Sequence, residues 1–212
     1  MTWRSRLLSL FPLVHALLIL GSIAGVLRHP GILTGLAIPA SVYVFPLVTF
    51  RLHNLLFPLK TGTRDLGKRE YSSWWGGHQI QLLFLAIPPL ESLLTLVPGL
   101  FSLWLRAWGS RVGRRVYWTP QVQILDRSLL DIGSGVLFGH KVITSSHVVT
   151  RTKSGRLLLM VDRITIGDNA LIGAGTRIGP GVTVEEGAVV AAASEMGTKS
   201  VDLYPRATVP AA

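Results

Sequence analysis

The sequence predicts an N-terminal transmembrane α-helical hairpin plus interfacial helices, followed by a left-handed parallel β-helix built from hexapeptide repeats. Three observations carry this expectation. Two long apolar runs without a charge precede residue 55, a proline- and tryptophan-punctuated apolar stretch follows, and aliphatic residues then recur every six positions from Ile166 onward. The corresponding divisions are 1–54 for the hairpin, 55–110 for a linker and interfacial or re-entrant helices, 111–200 for the β-helix and 201–212 for a C-terminal tail.

The first run extends from Leu7 to Leu27 and holds a single ionisable group, His15. At about 1.5 Å per residue it is long enough for about 30 Å of hydrocarbon. Arg28, His29 and Pro30 interrupt it, and a second uncharged run goes from Gly31 to Phe50. Pro39 and Pro46 lie inside that run, and transmembrane helices tolerate them as kinks. Arg4 and Arg6 precede the first run, while Arg51, Lys60 and Arg64 follow the second. The positive-inside rule therefore puts both ends, and all that follows, on the cytoplasmic side of an inner or cytoplasmic membrane.

Ile80 to Trp108 is apolar but broken by Pro88, Pro89, Glu91, Pro98 and Gly99, with Trp74, Trp75, Trp104 and Trp108 around it. Two helices lying in the interface, with tryptophans at head-group depth, satisfy that pattern. A third span would place Glu91 near the middle of the bilayer, at considerable cost.

Composition agrees with membrane attachment. Apolar residues make up 49% of the chain and charged residues only 15%, a pairing that soluble enzymes of this length rarely show. The formal net charge is +10, and the basic residues cluster beside the apolar stretches. Zinc-finger spacing and aromatic base-stacking motifs are absent, so the excess points to anionic lipid head groups and no nucleic-acid partner is expected. There is no cysteine, which excludes disulfides, thiolate metal sites and a cysteine nucleophile.

From Ile166 the chain reads IGDNAL IGAGTR IGPGVT VEEGAV VAAASE. Ile166, Ile172, Ile178, Val184, Val190 and Met196 are six apart, and Ala170, Thr176, Val182, Ala188 and Ser194 follow at the fourth place after the first five. In a triangular solenoid each hexad makes one flat side, three hexads close a coil, and both positions point inward. Stacking of one coil on the next then supplies the stability. Upstream, Ile132, Phe138 and Thr144 keep the period, with Val136, Val142 and Val148 at the small inward place; Ile124 with Ser128 marks one hexad more. Between Val149 and Arg163 the register fails around Lys153, Ser154 and Gly155, as for a loop thrown out of a coil.

These repeats resemble the hexapeptide-repeat acyltransferase superfamily over about Pro98 to Ser194. The lead-in LFSLWLRAWGSRVGRRVYW, Leu100 to Trp118, looks like that of its membrane-bound members. The order of transmembrane helices and then β-helix is similar to the C-terminal repeats of poly-lysine synthetases. The resemblance implies a homotrimer with sites between neighbouring β-helices, and a histidine as general base. It also implies an acyl-CoA donor, or an acyl thioester held by an acyl- or peptidyl-carrier protein. In the membrane-bound members the base stands just before a short polar loop leading to an I-x-I-G-D hexad. Here that place is held by His147, with Ile164, Ile166, Gly167 and Asp168 after the loop. The chain departs from the pattern at its end, where Tyr204, Pro205 and Pro210 replace a glycine-proline turn, and after the histidine, where Arg151 and Lys153 replace an acidic pair.

His147 is the first candidate catalytic residue, because a base must titrate near neutrality and reach the acceptor proton. It precedes Val148 and is expected to point outward, toward a neighbouring subunit. His140, one hexad earlier, is a second candidate, able to assist or to meet donor phosphate. Asp131 could orient a histidine or simply form a turn before Gly133. Small residues at Gly173, Ala174, Gly175, Ala191, Ala192 and Ala193 would let a pantetheine arm approach the backbone, and Lys199 or Arg206 could meet its phosphates. No metal site is expected. Carbon dioxide hydration on this fold needs three histidines, and the β-helix offers only His140 and His147. His15 is a candidate by its depth alone, with a bond to a neighbouring helix the plainer role. The function expected is transfer of an acyl or aminoacyl group to a hydroxyl or amine acceptor at the cytoplasmic membrane face; the alternative is a membrane-anchored, non-catalytic trimeric scaffold.

Overall fold

The computed structural model describes residues 2–68, 70–197 and 208–209. They fall into two compact units: residues 1–60 with 69–86, and residues 61–68 with 87 onward.

The first unit is helical. It comprises α1 (Trp3–Leu8), α2 (Phe11–Arg28), α3 (Ile32–Pro39), a π-helical turn at Ala40–Val44, α4 (Phe45–Leu56) and α5 (Ser73–Ala86). Two stretches, Trp3–Arg28 and Ile32–Leu56, are long and apolar enough to cross a membrane. Pro39 lacks an N–H and cannot continue the ordinary ladder, and the widened π turn follows it directly. His15, fully buried, makes a 3.0 Å hydrogen bond from Nε2 to the Ser41 carbonyl within that turn. It sits among the rings of Phe11, Phe45 and Phe84, the first two stacked at 5.4 Å. The plainer of the two roles expected for His15 is thus the one seen: it pins α2 to the second apolar run. Close packing of α5 against α4 depends on Gly76 and Gly77. A side chain at Gly76 would occupy the place of the Tyr71 hydroxyl, which bonds His53. Burial pushes the Tyr71 phenol up to about 12, against an opposing effect of Arg4.

The second unit begins with three short helical pieces, α6 (Pro89–Ser92), a 3-10 turn at Leu93–Leu96, and α7 (Leu100–Trp108). The proline breaks therefore fall where the sequence places them. The tryptophans do not sit as expected: Trp104 and Trp108 are buried inside the unit, as is Glu91. On α7, Phe101, Trp104, Leu105 and Trp108 recur at helical spacing and form one buried face, so packing claims the aromatics that an interface would otherwise take.

Among the described residues fifteen short strands follow, thirteen of them in coils that visit three parallel sheets in turn. The first sheet holds β2 (Arg111–Val112), β5 (Leu130–Ile132), β10 (Ile164–Ile166), β13 (Thr183–Val184) and β16 (Thr208–Val209). The second holds β3 (Tyr117–Trp118), β6 (Leu137–Phe138), β11 (Leu171–Ile172) and β14 (Val189–Val190). The third holds β4 (Gln123–Ile124), β7 (Ile143–Thr144), β12 (Arg177–Ile178) and β15 (Glu195–Met196). Register is exact at the inward places: Ile132 pairs with Ile166 and Ile166 with Val184, while Phe138 pairs with Ile172 and Ile172 with Val190. Every aliphatic residue of the hexad period is buried, along with Ala170, Thr176, Val182 and Ala188. The first coil starts at Val112 and Trp118, a hexad not read from the sequence; the Trp118 ring stacks on Phe138 at 4.5 Å.

Three inward positions read from the period are corrected. Ser128, Val148 and Ser194 are only half-buried. The corner after Ile124 is longer than a hexad allows, because the next inward residue in register is Ile132, and Asp126 and Arg127 are buried there where Ser128 is not. Val148 lies outside the coil because the chain leaves it after the buried Ser146. The expected loop is a hairpin of β8 (His147–Arg151) and β9 (Leu157–Val161), and β1 (Gly62–Asp65), a strand from the linker, pairs antiparallel with β9.

The enlarged corner carries the deepest charge pair. Arg127, fully buried, donates from Nε to Glu91 Oε1 at 2.6 Å and from a terminal nitrogen to Oε2, while Trp104 Nε1–H donates to Oε1 at 2.8 Å. Ser110 ties the same corner, donating to the Arg127 carbonyl at 2.8 Å and accepting from Leu130 N–H at 2.9 Å. Glu91→Ala or Arg127→Met alone should each cost about 3–5 kcal/mol, because the remaining charge stays buried without its partner. Thermal unfolding in detergent reads this, and the double variant Glu91→Leu/Arg127→Met should recover most of the loss. An unchanged midpoint in both single variants would show the pair to be energetically idle.

Candidate active site

The corner that joins the third sheet back to the first is where the chain leaves the solenoid. In the first coil this corner contains Asp126; in the second it contains Ser145, Ser146 and His147, the last residue opening β8. Stacking brings the two together. Asp126 Oδ2 accepts from His147 Nδ1 at 2.7 Å and from the Ser146 N–H at 2.9 Å. The Asp126 side chain is 3% exposed and that of His147 16%. A carboxylate oxygen can only accept here, so Nδ1 carries the hydrogen and the basic lone pair resides on Nε2. The backbone N–H fixes the carboxylate before the imidazole meets it, so the ring plane is set by two independent bonds.

Ser145 does not turn this pair into a nucleophilic triad. Its hydroxyl donates to the His147 carbonyl at 2.7 Å and lies 3.5 Å from Nδ1, the nitrogen already committed to Asp126. The arrangement can therefore orient a base, and it does not activate that hydroxyl.

Asp131, expected as a possible orienter, takes another role. It lies on β5 and pairs with Arg111 of β2 at 3.3 Å, on the outer face of the first sheet. The orienting carboxylate is Asp126, which the period did not reveal. Its one signal is the spacing of Ile124 and Ile132, eight positions instead of six, with an acid and a base inside it.

His140 is exposed and stands on a different corner, between the second and third sheets. The small residues proposed for donor contact lie on that same corner, stacked coil upon coil. Gly175 N–H donates to the His140 carbonyl and Ala193 N–H to the Ala174 carbonyl, both at 2.8 Å. Ala174, Gly175, Ala191, Ala192 and Ala193 are exposed and Gly173 half-buried. A Cβ on Gly173 would run into the backbone of Ala191 and Ala192, so close stacking of the coils explains that glycine by itself. Lys199 and Arg206 lie outside the described residues. Within one chain His147 and the His140 corner thus occupy opposite edges of the third sheet.

Residues 163–198 match the family described as bacterial transferase hexapeptide (six repeats), which bears out the repeat read from the sequence. Among solved structures, the chain is similar to a hexapeptide-repeat-containing acetyltransferase from Vibrio cholerae. The two share 21% identity over 53% of this chain and 80% of that one, at a TM-score of 0.39. The Vibrio cholerae O1 biovar eltor structure complexed with acetyl coenzyme A shares 19% identity over 63% of this chain and 81% of that one, at 0.46. A maltose O-acetyltransferase from Clostridium difficile 630 shares 17% over 68% and 85%, at 0.42. No curated protein matches the chain significantly.

Two outcomes follow from this geometry. In Asp126→Asn the nitrogen-15 shifts of the His147 ring should move from a single Nδ1–H tautomer to a mixture, whereas Asp131→Asn leaves them unchanged; identical spectra for both variants would deny Asp126 its role. Gly173→Ala should lower the unfolding midpoint by the equivalent of about 1–3 kcal/mol, since the coils must part to admit the methyl group.

Proposed function

We propose that the chain is a membrane-bound acyltransferase that moves an acyl or aminoacyl group from a thioester donor to a hydroxyl or amine acceptor at the cytoplasmic membrane face. The observation that carries the reading is a histidine held by a buried carboxylate where the chain leaves the solenoid, just ahead of the matched hexapeptide repeats. In this reading the solenoid is a left-handed β-helix, and His147 acts as the general base through Nε2.

The step is a direct transfer. His147 takes the acceptor proton as the acceptor oxygen or nitrogen attacks the thioester carbonyl. The carbon–sulfur bond breaks, and the imidazolium returns the proton to the departing thiolate. Asp126 keeps the proton-accepting nitrogen aimed outward and stabilises the imidazolium, an effect that base catalysis turns into about 10²–10⁴-fold in rate. Backbone N–H groups would stabilise the oxyanion. The donor is acyl-CoA, or an acyl thioester on a carrier protein, with its pantetheine arm laid along the corner of Gly173–Gly175 and Ala191–Ala193.

A homotrimer accounts for the separation of that corner from His147, since the donor surface of one copy could face the histidine of the next. The second sheet offers a contact face. Tyr117, Leu137, Leu171 and Val189 are paired in register along its outside, and they are 61%, 40%, 39% and 59% exposed. The outer row of the third sheet, Gln123, Ile143, Arg177 and Glu195, is largely polar by contrast. The two apolar helical stretches with basic flanks support an integral membrane location with the solenoid on the cytoplasmic side.

Free-thiol release by the detergent-purified protein tests the reading, with short, long and aminoacyl-CoA donors offered beside a membrane lipid extract. Release should require the extract and fall about 10²–10⁴-fold in His147→Ala. Release that survives the substitution would move the base to His140. No release from any free or carrier-bound donor would leave the scaffold alternative.

A further inference from the structure

A cleft of about 380 Å3 opens in the second unit, between the start of α7 and the first corner of the solenoid, well apart in the coil order from the corner of His147. Its walls are apolar at Val97, Phe101, Val116 and Tyr117, and it is edged by Arg106 and Arg115. That volume lies at the low end of the range of about 300–1,000 Å3 typical of small-ligand sites. The cleft is too small to enclose a whole lipid but large enough for a head group and the upper part of a chain. The apolar surface continues beyond it, because Leu93, Leu96 and Leu103 stand exposed on the neighbouring helical pieces.

Charge makes the cleft selective. Arg106 is held in place by carbonyls, donating from Nε to Val112 O at 2.8 Å and from a terminal nitrogen to Gly113 O at 2.7 Å; these bonds fix its position and leave its charge uncancelled. Arg115 is exposed. Among the described residues neither arginine pairs with a carboxylate: Glu91 is taken by Arg127, and Asp131 by Arg111. Two uncompensated guanidinium groups at the rim of an apolar cleft complement a phosphate with a hydrocarbon tail.

We propose that this cleft binds one acidic phospholipid, its phosphate at Arg115 and Arg106 and its upper chain against Val97, Phe101 and Val116. The inference rests on the membrane location argued above but not on the acyl-transfer chemistry. It adds a bound lipid as a structural partner of the first coil.

The test uses the full chain purified in mild detergent, with native mass spectrometry after mixing with phosphatidylglycerol or phosphatidylcholine. One phosphatidylglycerol per chain should be retained in preference to phosphatidylcholine. Arg115→Glu should lower that retention by about fivefold or more, the usual effect of one basic residue at an anionic surface. Val97→Trp, which fills the cleft without touching its charge, should lower it too, whereas Arg114→Glu, next in sequence but outside the cleft, should not. Equal retention of the two lipids by the wild type would overturn the site. Equal losses in Arg114→Glu and Arg115→Glu would also overturn it, in favour of diffuse surface charge. Resistance of the wild-type chain to carbonate extraction from membranes, together with thiol release, separates failure of this site from failure of the membrane and transferase readings.

Discussion

Burial of Arg127 against Glu91 is the interaction on which the second unit turns. Each ion taken from water costs several kcal/mol, and only near-complete satisfaction of both groups repays it. Here the carboxylate receives three donors, two from the guanidinium and one from the Trp104 indole, and the guanidinium carbon lies 6.0 Å from the Trp108 ring centre. A short helix that would be too brief to persist alone is thereby bound to the solenoid. The same carboxylate holds the Trp104 indole inward, and Arg127 lies over the ring of Trp108.

The enlarged corner that admits Arg127 also presents Asp126, its immediate neighbour in sequence. One residue anchors the helical lead-in and the next holds the imidazole of His147. Ordering of the first therefore orders the second. The stacking of coils supplies the remaining constraint, since Ser146 N–H and His147 Nδ1 reach the same oxygen only if the second coil sits in register on the first.

Departure of the chain from the coil is equally consequential. After Ser146 the parallel ladder gives way to an antiparallel three-stranded sheet, order β1, β9, β8, in which the linker strand covers one edge of the hairpin. His147 is the first residue of β8 and faces Val161 across the ladder, so it belongs to the solenoid through Asp126 and to the hairpin through its backbone. A side chain tied to two rigid elements is better positioned than one on a free loop.

Much of this was legible in the sequence, for a physical reason. A repeating coil imposes the same local demand every six residues, and an apolar helix declares itself by composition, so the solenoid, the two long apolar helical stretches and the breaks at Pro88 and Pro98 could be read from short windows. His147 was marked as a candidate by its place before a polar interruption. Its partner was not, because Asp126 lies 21 positions earlier and breaks the period that gave the other assignments. Glu91 read only as a charge interrupting an apolar stretch, and Arg127, 36 positions on, drew no reading until the fold brought the two together. The sequence by itself determined the period and the apolar helices, which are properties of neighbouring residues. Tertiary structure alone decided which carboxylate serves the histidine, which charge is buried and which strand joins the hairpin, because each depends on contact between segments that no local pattern relates.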